Sequence, residues 1–573
     1  MKKSGRRCVA GLMAVLTALS ISACSSPSQA PSSGGGSQPD ASGGAKAYYN
    51  KTGLPICSQK ITITMAGVDA SGDFGGNKSS KWEDTLMAQD WEKRFGISIK
   101  ADTYNADDWS TQLPLLISGG ELPDLLVNAG MTEATAQKYG KQGYFADLSQ
   151  YKDLAPNLYA VFNEHPEYKA FLSDEKGGIY GLSGLSAFEH DALNRVYMMK
   201  SWLSKVNMPA PTTVDELYQV LKAFKANDAN GNGKDDEIPM TWTANGDEMM
   251  LLEAFGINVK DPTWLMEVGD GGKVSFAGST DNYKAFLKYV HKLYAEGLLD
   301  KTNFTATYDE KAAEVQKGTV GTVDTVPFAL RNADISTDAD WVWIGGLTSE
   351  VNDKQYVAIA DGVKSSVDVA VNGDSKYKEA IVRLIDYYYS EEGYPEGMSG
   401  PLNVAWKYVD DPILGCKIRE FIRPSDYSSD EEFRVKKATI NGAFSLYGKL
   451  DYIGRANLYQ LDDKALSSDA VIKKYGWGAL TETGMRRKGN QMVYSKDMYP
   501  VMSYTEEEST ELATLKTELQ NYMKNIRTQF IVGEEDIDKG WDNYINQLDQ
   551  MGLKRLLQIE QAAYDRFQKN LNQ

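Results

Sequence analysis

The chain has 573 residues, 42% hydrophobic and 24% charged, with a formal net charge of −18 at pH 7. That length exceeds what one hydrophobic core serves, so two or more domains are expected in a soluble globular protein. The acid excess, sharper still once Lys2, Lys3, Arg6 and Arg7 are set aside, repels polyphosphate, and no basic stripe with interleaved aromatics offsets it; nucleic acid is not expected as a partner.

The first 23 residues combine a basic start with an apolar run from Val9 to Ile21, too short for the roughly 20 residues of a spanning helix. They read as an export signal. The run ends in Ile21-Ser22-Ala23-Cys24, which resembles the lipobox of bacterial lipoproteins and implies cleavage that leaves Cys24 as a lipid-bearing N-terminus. Residues 24–56 are then a Ser/Gly/Pro-rich tether that cannot bury enough apolar surface to fold. No later segment approaches spanning length, so the membrane would be reached through the lipid anchor only. Beyond the anchor only Cys57 and Cys416 remain; an extracellular setting permits them to pair, and the alternative is two buried thiols.

Ile61, Ile63 and Met65 alternate with Thr62 and Thr64, which predicts a strand. Met87, Trp91 and Phe95 follow at helical spacing, and "GISIKA" reads as a second strand, so the unit is β-α-β and an α/β sheet with a right-handed parallel crossover is expected. Thr213 and Glu216 form a capping box ahead of Leu217, Val220, Leu221 and Phe224. Phe286, Val290 and Leu293 make another apolar stripe, and Leu512, Leu515, Leu519, Tyr522 and Ile526 mark a long helix near the C-terminus. No repeat of fixed period is present.

One short run, "NDANGNGKDDEIP" at 227–239, concentrates side-chain oxygens. It is either a hydrophilic turn, since Asn, Asp and Gly hydrogen-bond locally, or a cation cage, since Ca²⁺ takes about 6–8 oxygen ligands. Alternation at Asp228, Asn230 and Asn232 favours the cage. The loop is not an EF-hand, because Pro239 stands where that loop places its bidentate Glu.

The order of seven short motifs is informative: "LISGGELPDLLVN" (116–128), "GGIYGLSG" (177–184), "MMKSWLSKVNMPAPTTVDELYQVLKAFKANDANGNGKDDEIP" (198–239), "YAEGLLD" (294–300), "AIVRLIDYYYSEEG" (380–393), "QFIVGEEDIDKGWDNYINQLDQMGL" (529–553) and "QAAYDR" (561–566). Together they resemble the extracellular solute-binding proteins of family 1, the carbohydrate receptors of ABC importers, over nearly the whole chain. The closest likeness is to large Gram-positive lipoprotein receptors and alginate-oligosaccharide receptors. The resemblance implies an α/β, two-lobed, type II periplasmic-binding-protein-like fold with a ligand cleft between hinged lobes. One lobe would hold residues 57–190 and 355–400, the other 191–354 and 401–573. It also implies a structural Ca²⁺ held by Asp228, Asn230, Asn232, the backbone carbonyl of Lys234, Asp236 and Glu237. Relatives often carry Asp at Ser201, so capping there falls to a hydroxyl, if at all. The implied protein is a monomer on the outer face of the cell membrane, with a carbohydrate ligand and ABC permease subunits as partners.

Sugars pair hydroxyls with planar polar side chains and C–H faces with aromatic rings. The loops expected to face the cleft contain Asp69, Asn128, Glu189, Asp191, Trp242, Thr325 and Trp406; for both tryptophans, buried packing is the rival role. Oligosaccharides suit the large body and its aromatics, and the acidic surface argues against uronic ligands. An enzyme is disfavoured, since His165, His190 and His291 sit in no zinc or triad motif and no phosphate-binding glycine loop is present. A tethered sensor or adhesin would share the anchor and linker.

Overall fold

The computed structural model describes residues 48–572, apart from 70–80, 188–195, 243–246, 260, 262, 324–339, 358–361, 450–460, 467, 469, 472, 476–492 and 495–498. Cys24, Glu189, Asp191 and Thr325 lie outside the described residues. The expected first strand is β1 (Ile61–Val68), with Ile61, Ile63 and Met65 buried and Thr62 and Thr64 exposed, as period-two alternation requires. Helix α1 (Leu86–Asp90) starts at Thr85, whose hydroxyl accepts from Ala88 N, and continues through a π turn, Trp91–Phe95, that buries Trp91 and Phe95. Strand β2 (Ile97–Tyr104) returns parallel to β1, from Ile61 opposite Ile97 to Val68 opposite Tyr104.

The chain then runs through α2 (Ala106–Gly119), capped by Asn105, to β3 (Leu125–Val127), which pairs parallel to the other edge of β1. A later strand, Ala370–Val371, adds antiparallel to β3. Asp124 fastens the start of β3, since its Oδ2 accepts from Thr64 N and Oγ1 at 2.8 and 2.9 Å and its Oδ1 accepts from Ser375 Oγ at 2.6 Å. The strands β1 and β3 approach so closely at Gly67 that a Cβ there would stand 1.7 Å from Val127 O. Helix α3 (Glu133–Lys141), capped by Thr132, follows β3 after a short loop, and α4 (Pro166–Leu172) comes later.

A second layer begins at β4 (Tyr197–Met199), flanked antiparallel by Thr322–Val323 and Trp341–Trp343. Next come α5 (Lys200–Lys205), α6 (Val214–Ala226) and α7 (Asp281–Ala295), and the chain closes with α8 (Glu506–Val532), α9 (Ile537–Gln550) and α10 (Leu553–Leu571). The predicted stripes on α6 and α7 are buried; on α8, Leu512 and Leu519 are buried while Leu515, Tyr522 and Ile526 are half-buried. The capping box at α6 is displaced by one residue: Thr213 Oγ1 accepts from Glu216 N, but Glu216 reaches back to Thr212 N at 2.7 Å. Complete boxes form instead at Thr307/Glu310 and Thr505/Glu508. At α5 the Ser201 position is served by Asp340, whose Oδ1 accepts from Ser201 N at 2.7 Å and whose Oδ2 accepts from the hydroxyl, so a carboxylate from elsewhere in the chain takes the capping part.

These elements build two large hydrophobic cores. The first draws on residues from Ile56 to Leu185 and from Val363 to Tyr447; the second draws on Val196 to Leu347 and Tyr499 to Phe567, with Ala170. Trp406, Phe433, Phe444 and Tyr447 therefore pack in the first core, whereas the resemblance implies a lobe of 191–354 with 401–573. The reason is aromatic packing: Phe444 meets Trp91 and Tyr388 at 4.8 and 5.1 Å between centroids, and Tyr447 stacks on Tyr389 at 6.1 Å. Cys57 and Cys416 are free thiols, one buried and one half-exposed on a hairpin, and burial pushes the Cys57 thiol up to about 11.

Substituting Gly67→Ala forces β1 from β3 and is expected to cost about 3 kcal/mol, as overpacking against backbone does. A urea unfolding midpoint equal to the parent's would show that the two strands can part freely.

Candidate ligand site

In the first sheet β1 lies between β2 and β3, so the strand order reverses at β1 and the crevice beyond the carboxyl ends of β1 and β3 is the natural ligand position in an open α/β sheet. Two expected site residues meet there. Asp69 directly follows β1, and Asn128, held at φ +49°, follows β3 and donates from Nδ2 to Val68 O at 3.3 Å. A third residue, Asn441, joins them from 372 positions away, donating from Nδ2 to Asp69 Oδ1 at 2.8 Å. Its own Oδ1 is buried without a hydrogen-bond partner among the described residues. The signal for Asn441 was an Asn-Gly pair, a turn dipeptide whose residues both take positive φ, at +50° and +69°; nothing in the sequence aimed it at Asp69.

The two tryptophans occupy different ground. Trp242 is 2% exposed and meets Phe304 edge-on at 6.0 Å, and Trp406 is 1% exposed, donates Nε1 to Gly400 O at 2.7 Å and packs on Tyr408. Neither offers a ring face to solvent, so both serve packing in this structure. The strand-end reasoning located their loops but could not say which way a ring turns.

Four residues after Asn128, Thr132 and the start of α3 border a cavity of about 570 Å³ that is lined from both cores. Thr132, Glu133, Ala134, Phe171 and Ser365 face it from one side. Trp264, Met266, Met502 and Leu512, with the polar Asp261, Ser509 and Lys516, face it from the other. Its wall is tied down by Glu560 on α10, which accepts from Trp264 Nε1 at 3.2 Å, from Tyr504 Oη at 2.7 Å and from Tyr499 Oη. Burial, with Glu560 beside them, pushes both phenols well above their ordinary value, so they remain donors. Two bridges span the cores beside the cavity: Lys138 of α3 pairs with Glu506 of α8 at 2.6 Å, and Asn570 of α10 donates to Ser173 O at 3.1 Å.

Glu133 stands apart from these satisfied groups. It is 5% exposed, and neither carboxyl oxygen has a hydrogen-bond partner among the described residues. Burial holds it well above the usual carboxylate range; the Gln137 side chain, close by on the same helix but short of good hydrogen-bond geometry, and the charges of Lys141 and Arg566 offset this in part, and Asp174 adds to it.

The oxygen-rich loop after α6 folds on itself. Asn230 and Asn232 donate from Nδ2 to Asp236 Oδ1 at 2.8 and 2.9 Å, Gly233 N donates to Asp228 Oδ2 at 3.1 Å, and Lys234 N donates to Asn232 Oδ1 at 2.8 Å. The two amides hold the Asp236 carboxyl below its ordinary value. Asp228 Oδ1 is buried and has no partner among the described residues, an acceptor of the kind a cation takes. Among the described residues no three His, Cys, Asp or Glu side chains alone form a metal-holding group; the other oxygens here belong to amides and backbone carbonyls.

The family model for bacterial extracellular solute-binding proteins matches residues 77–395. The chain belongs to that family. It is 27% identical over 508 residues to the fructooligosaccharide ABC transporter substrate-binding protein FusA of Streptococcus pneumoniae, covering 85% of this chain and 88% of FusA. The structure of FusA in complex with kestose superposes with a TM-score of 0.65 at 25% identity, over 89% of this chain and all of that one; a FusA EF-hand mutant in complex with fructo-nystose gives 0.66 at 24%, over the same shares. An HMO-binding, ABC-transporter-associated solute-binding protein from Bifidobacterium longum infantis shares the fold at TM-score 0.70 and 22% identity, covering 89% and 99%. The expected α/β, two-lobed, type II fold is thereby met. Solute-binding proteins of this family are extracellular and bind substrates rather than transform them.

In this solute-binding protein the raised Glu133 value fixes a pH dependence. A group whose folded value lies above its unfolded one stabilises fully below the unfolded value and loses that contribution as pH rises. Glu133→Gln removes the loss, so the variant is expected to melt a few degrees above the parent at pH 7 and level with it at pH 4. Equal melting temperatures at both pH values would show that Glu133 is solvated in solution.

Proposed function

We propose that this protein is the receptor of a carbohydrate importer, which captures an oligosaccharide in the cavity between its cores by closing two lobes and delivers it to the permease subunits of an ABC transporter. The observation that carries the reading is the cavity itself: it is lined from both cores and combines apolar and aromatic walls with a buried unpaired carboxyl and a few polar groups. Its volume falls within the roughly 300–1,000 Å³ of small-molecule pockets. FusA, which binds fructooligosaccharide, supports the ligand class. The lobes follow the two cores, so the stretch up to Tyr447 moves with the first. Closure is then a hinge motion that buries the guest and presents a surface to the transporter. The protein acts as a monomer without turning over its ligand, tethered through lipid on Cys24 at the outer face of the membrane.

A thermal-shift panel of neutral oligosaccharides should raise the melting temperature by several degrees, and X-ray scattering should show compaction with the same sugar. Trp264→Ala, which removes the largest aromatic wall of the cavity, should weaken binding at least tenfold. A panel without any shift, or saccharide cleaved on incubation, would end this reading.

The loop after α6 is proposed to hold a structural Ca²⁺ through Asp228, Asn230, Asn232, the Lys234 carbonyl, Asp236 and Glu237. The ion would supply a positive centre for oxygens that otherwise accept from the loop's own N–H groups, and its support comes from the FusA EF-hand mutant as well as from the unpartnered Asp228 oxygen. An ion held by the folded state alone stabilises it by about 2.7 kcal/mol at a hundred times its Kd. Chelation should therefore lower the melting temperature by several degrees, and Asp228→Ala should abolish that response. A parent melt indifferent to chelator removes the ion from the account.

A further inference from the structure

We propose that Glu133 is a hydroxyl-recognising residue that restricts the cavity to neutral saccharides and turns away uronates. This inference rests on the cavity being the ligand site. Its first ground is the contrast between a carboxyl group behind the cavity wall and one that lines the cavity. Glu560 accepts hydrogen bonds from Trp264, Tyr499 and Tyr504, so it is spent on holding the wall. Glu133, 5% exposed, lines the cavity itself, and beyond the nearby Gln137 amide neither of its oxygens meets a well-formed hydrogen bond among the described residues. A buried polar group left unpaired costs about 1–3 kcal/mol, and proteins retain such groups where a ligand completes them.

The second ground is what could complete it. Neutral sugar hydroxyls both donate and accept, so they satisfy a carboxyl in either protonation state. A ligand carboxylate is acceptor-only when ionised, and beside Glu133 in a water-poor space two carboxyl groups cannot both carry charge. The surroundings do not reverse this. Asp261 also lines the cavity, and Lys516, its one lining cation among the described residues, lies with Nζ 4.7 Å from the Trp264 ring centroid. The cations Lys141 and Arg566 act on Glu133 from α3 and α10, but Lys141 is engaged by Glu175 at 3.0 Å and Arg566 by Glu508 at 2.5 Å, and Asp174 adds a further negative charge. A uronate can therefore bind only if one proton is shared between its carboxyl group and that of Glu133.

The test is calorimetric titration of the full mature protein, with calcium present, against neutral tri- and tetrasaccharides and oligogalacturonates of matched length. Neutral sugars should bind at least a hundredfold more tightly at pH 7, and uronate affinity should climb about tenfold per unit as pH falls, the signature of one proton taken up. Glu133→Leu, checked by its melting curve, should lower neutral-sugar affinity by ten- to a hundredfold. Glu133→Gln replaces one oxygen by an N–H donor, so it should improve uronate binding at pH 7 at least tenfold and flatten its pH slope. Uronates bound as well as neutral sugars by the parent, or a selectivity unmoved by Glu133→Gln, would overturn the assignment of Glu133 while leaving saccharide capture standing. Failure of every saccharide to bind would instead overturn capture and this inference together.

Discussion

Each of the two cores is assembled from stretches that are not contiguous in the chain, and that interleaving governs the rest of the molecule. Because the chain leaves the first core after Leu185 and returns at Val363, each body is completed only after the chain has passed through part of the other. The meeting surface carries two kinds of bridge. Lys138 and Glu506, at 37% and 54% exposure, form a surface ion pair, and such pairs contribute about 0–1 kcal/mol. The contact of α4 with α10 is of another kind, with Asn570 buried against Ser173 O. One bridge is packed and the other can be broken at small cost, an asymmetry suited to bodies that pivot.

The polar groups at this junction divide by whether the fold itself satisfies them. Glu560, Asp124 and the Tyr499/Tyr504 pair are fully engaged with protein partners, and they fix the wall of the cavity and the edge of the sheet. Glu133, Asn441 and Asp228 each keep a buried oxygen without a partner among the described residues, in the cavity, at the carboxyl ends of β1 and β3, and in the oxygen-rich loop. Folding alone does not select for unmet acceptors, since each lowers stability. At these three positions a ligand or an ion is the partner that the proposed function would supply.

Much of the architecture was legible because period and capping are local. The alternation at Ile61 to Met65 and the spacing of Met87, Trp91 and Phe95 gave β1 and the first helix, and motif order gave the two-lobed plan. What could not be read was long-range. Asn441 reaches Asp69 across 372 positions, and the cavity gathers Glu133, Trp264 and Met502 from three distant stretches. The strand-end rule brought Asp69 and Asn128 to one crevice but could not foresee that Trp242 and Trp406 turn into their cores, because ring direction is settled by tertiary packing. The stretch from Ala405 to Tyr447 was assigned by its place in the chain, whereas its aromatics join Trp91 and the tyrosines at 387–389.

The oxygen-rich loop and the cavity share no residue, and this bears on how ion and sugar would act together. The loop continues into Ile238 to Met240, which bridge to Val320 and Leu299 inside the second body. An ion bound there stiffens that body without touching Glu133 or Trp264. Effects at sites without shared partners add to within about 0.5 kcal/mol, so ion and saccharide should each raise stability by its own amount. A large departure from additivity would require the ion to bias the pivot between the bodies, and Trp242, which follows the loop and packs on Phe304 inside the second body, is one route by which the loop is tied to that body's core.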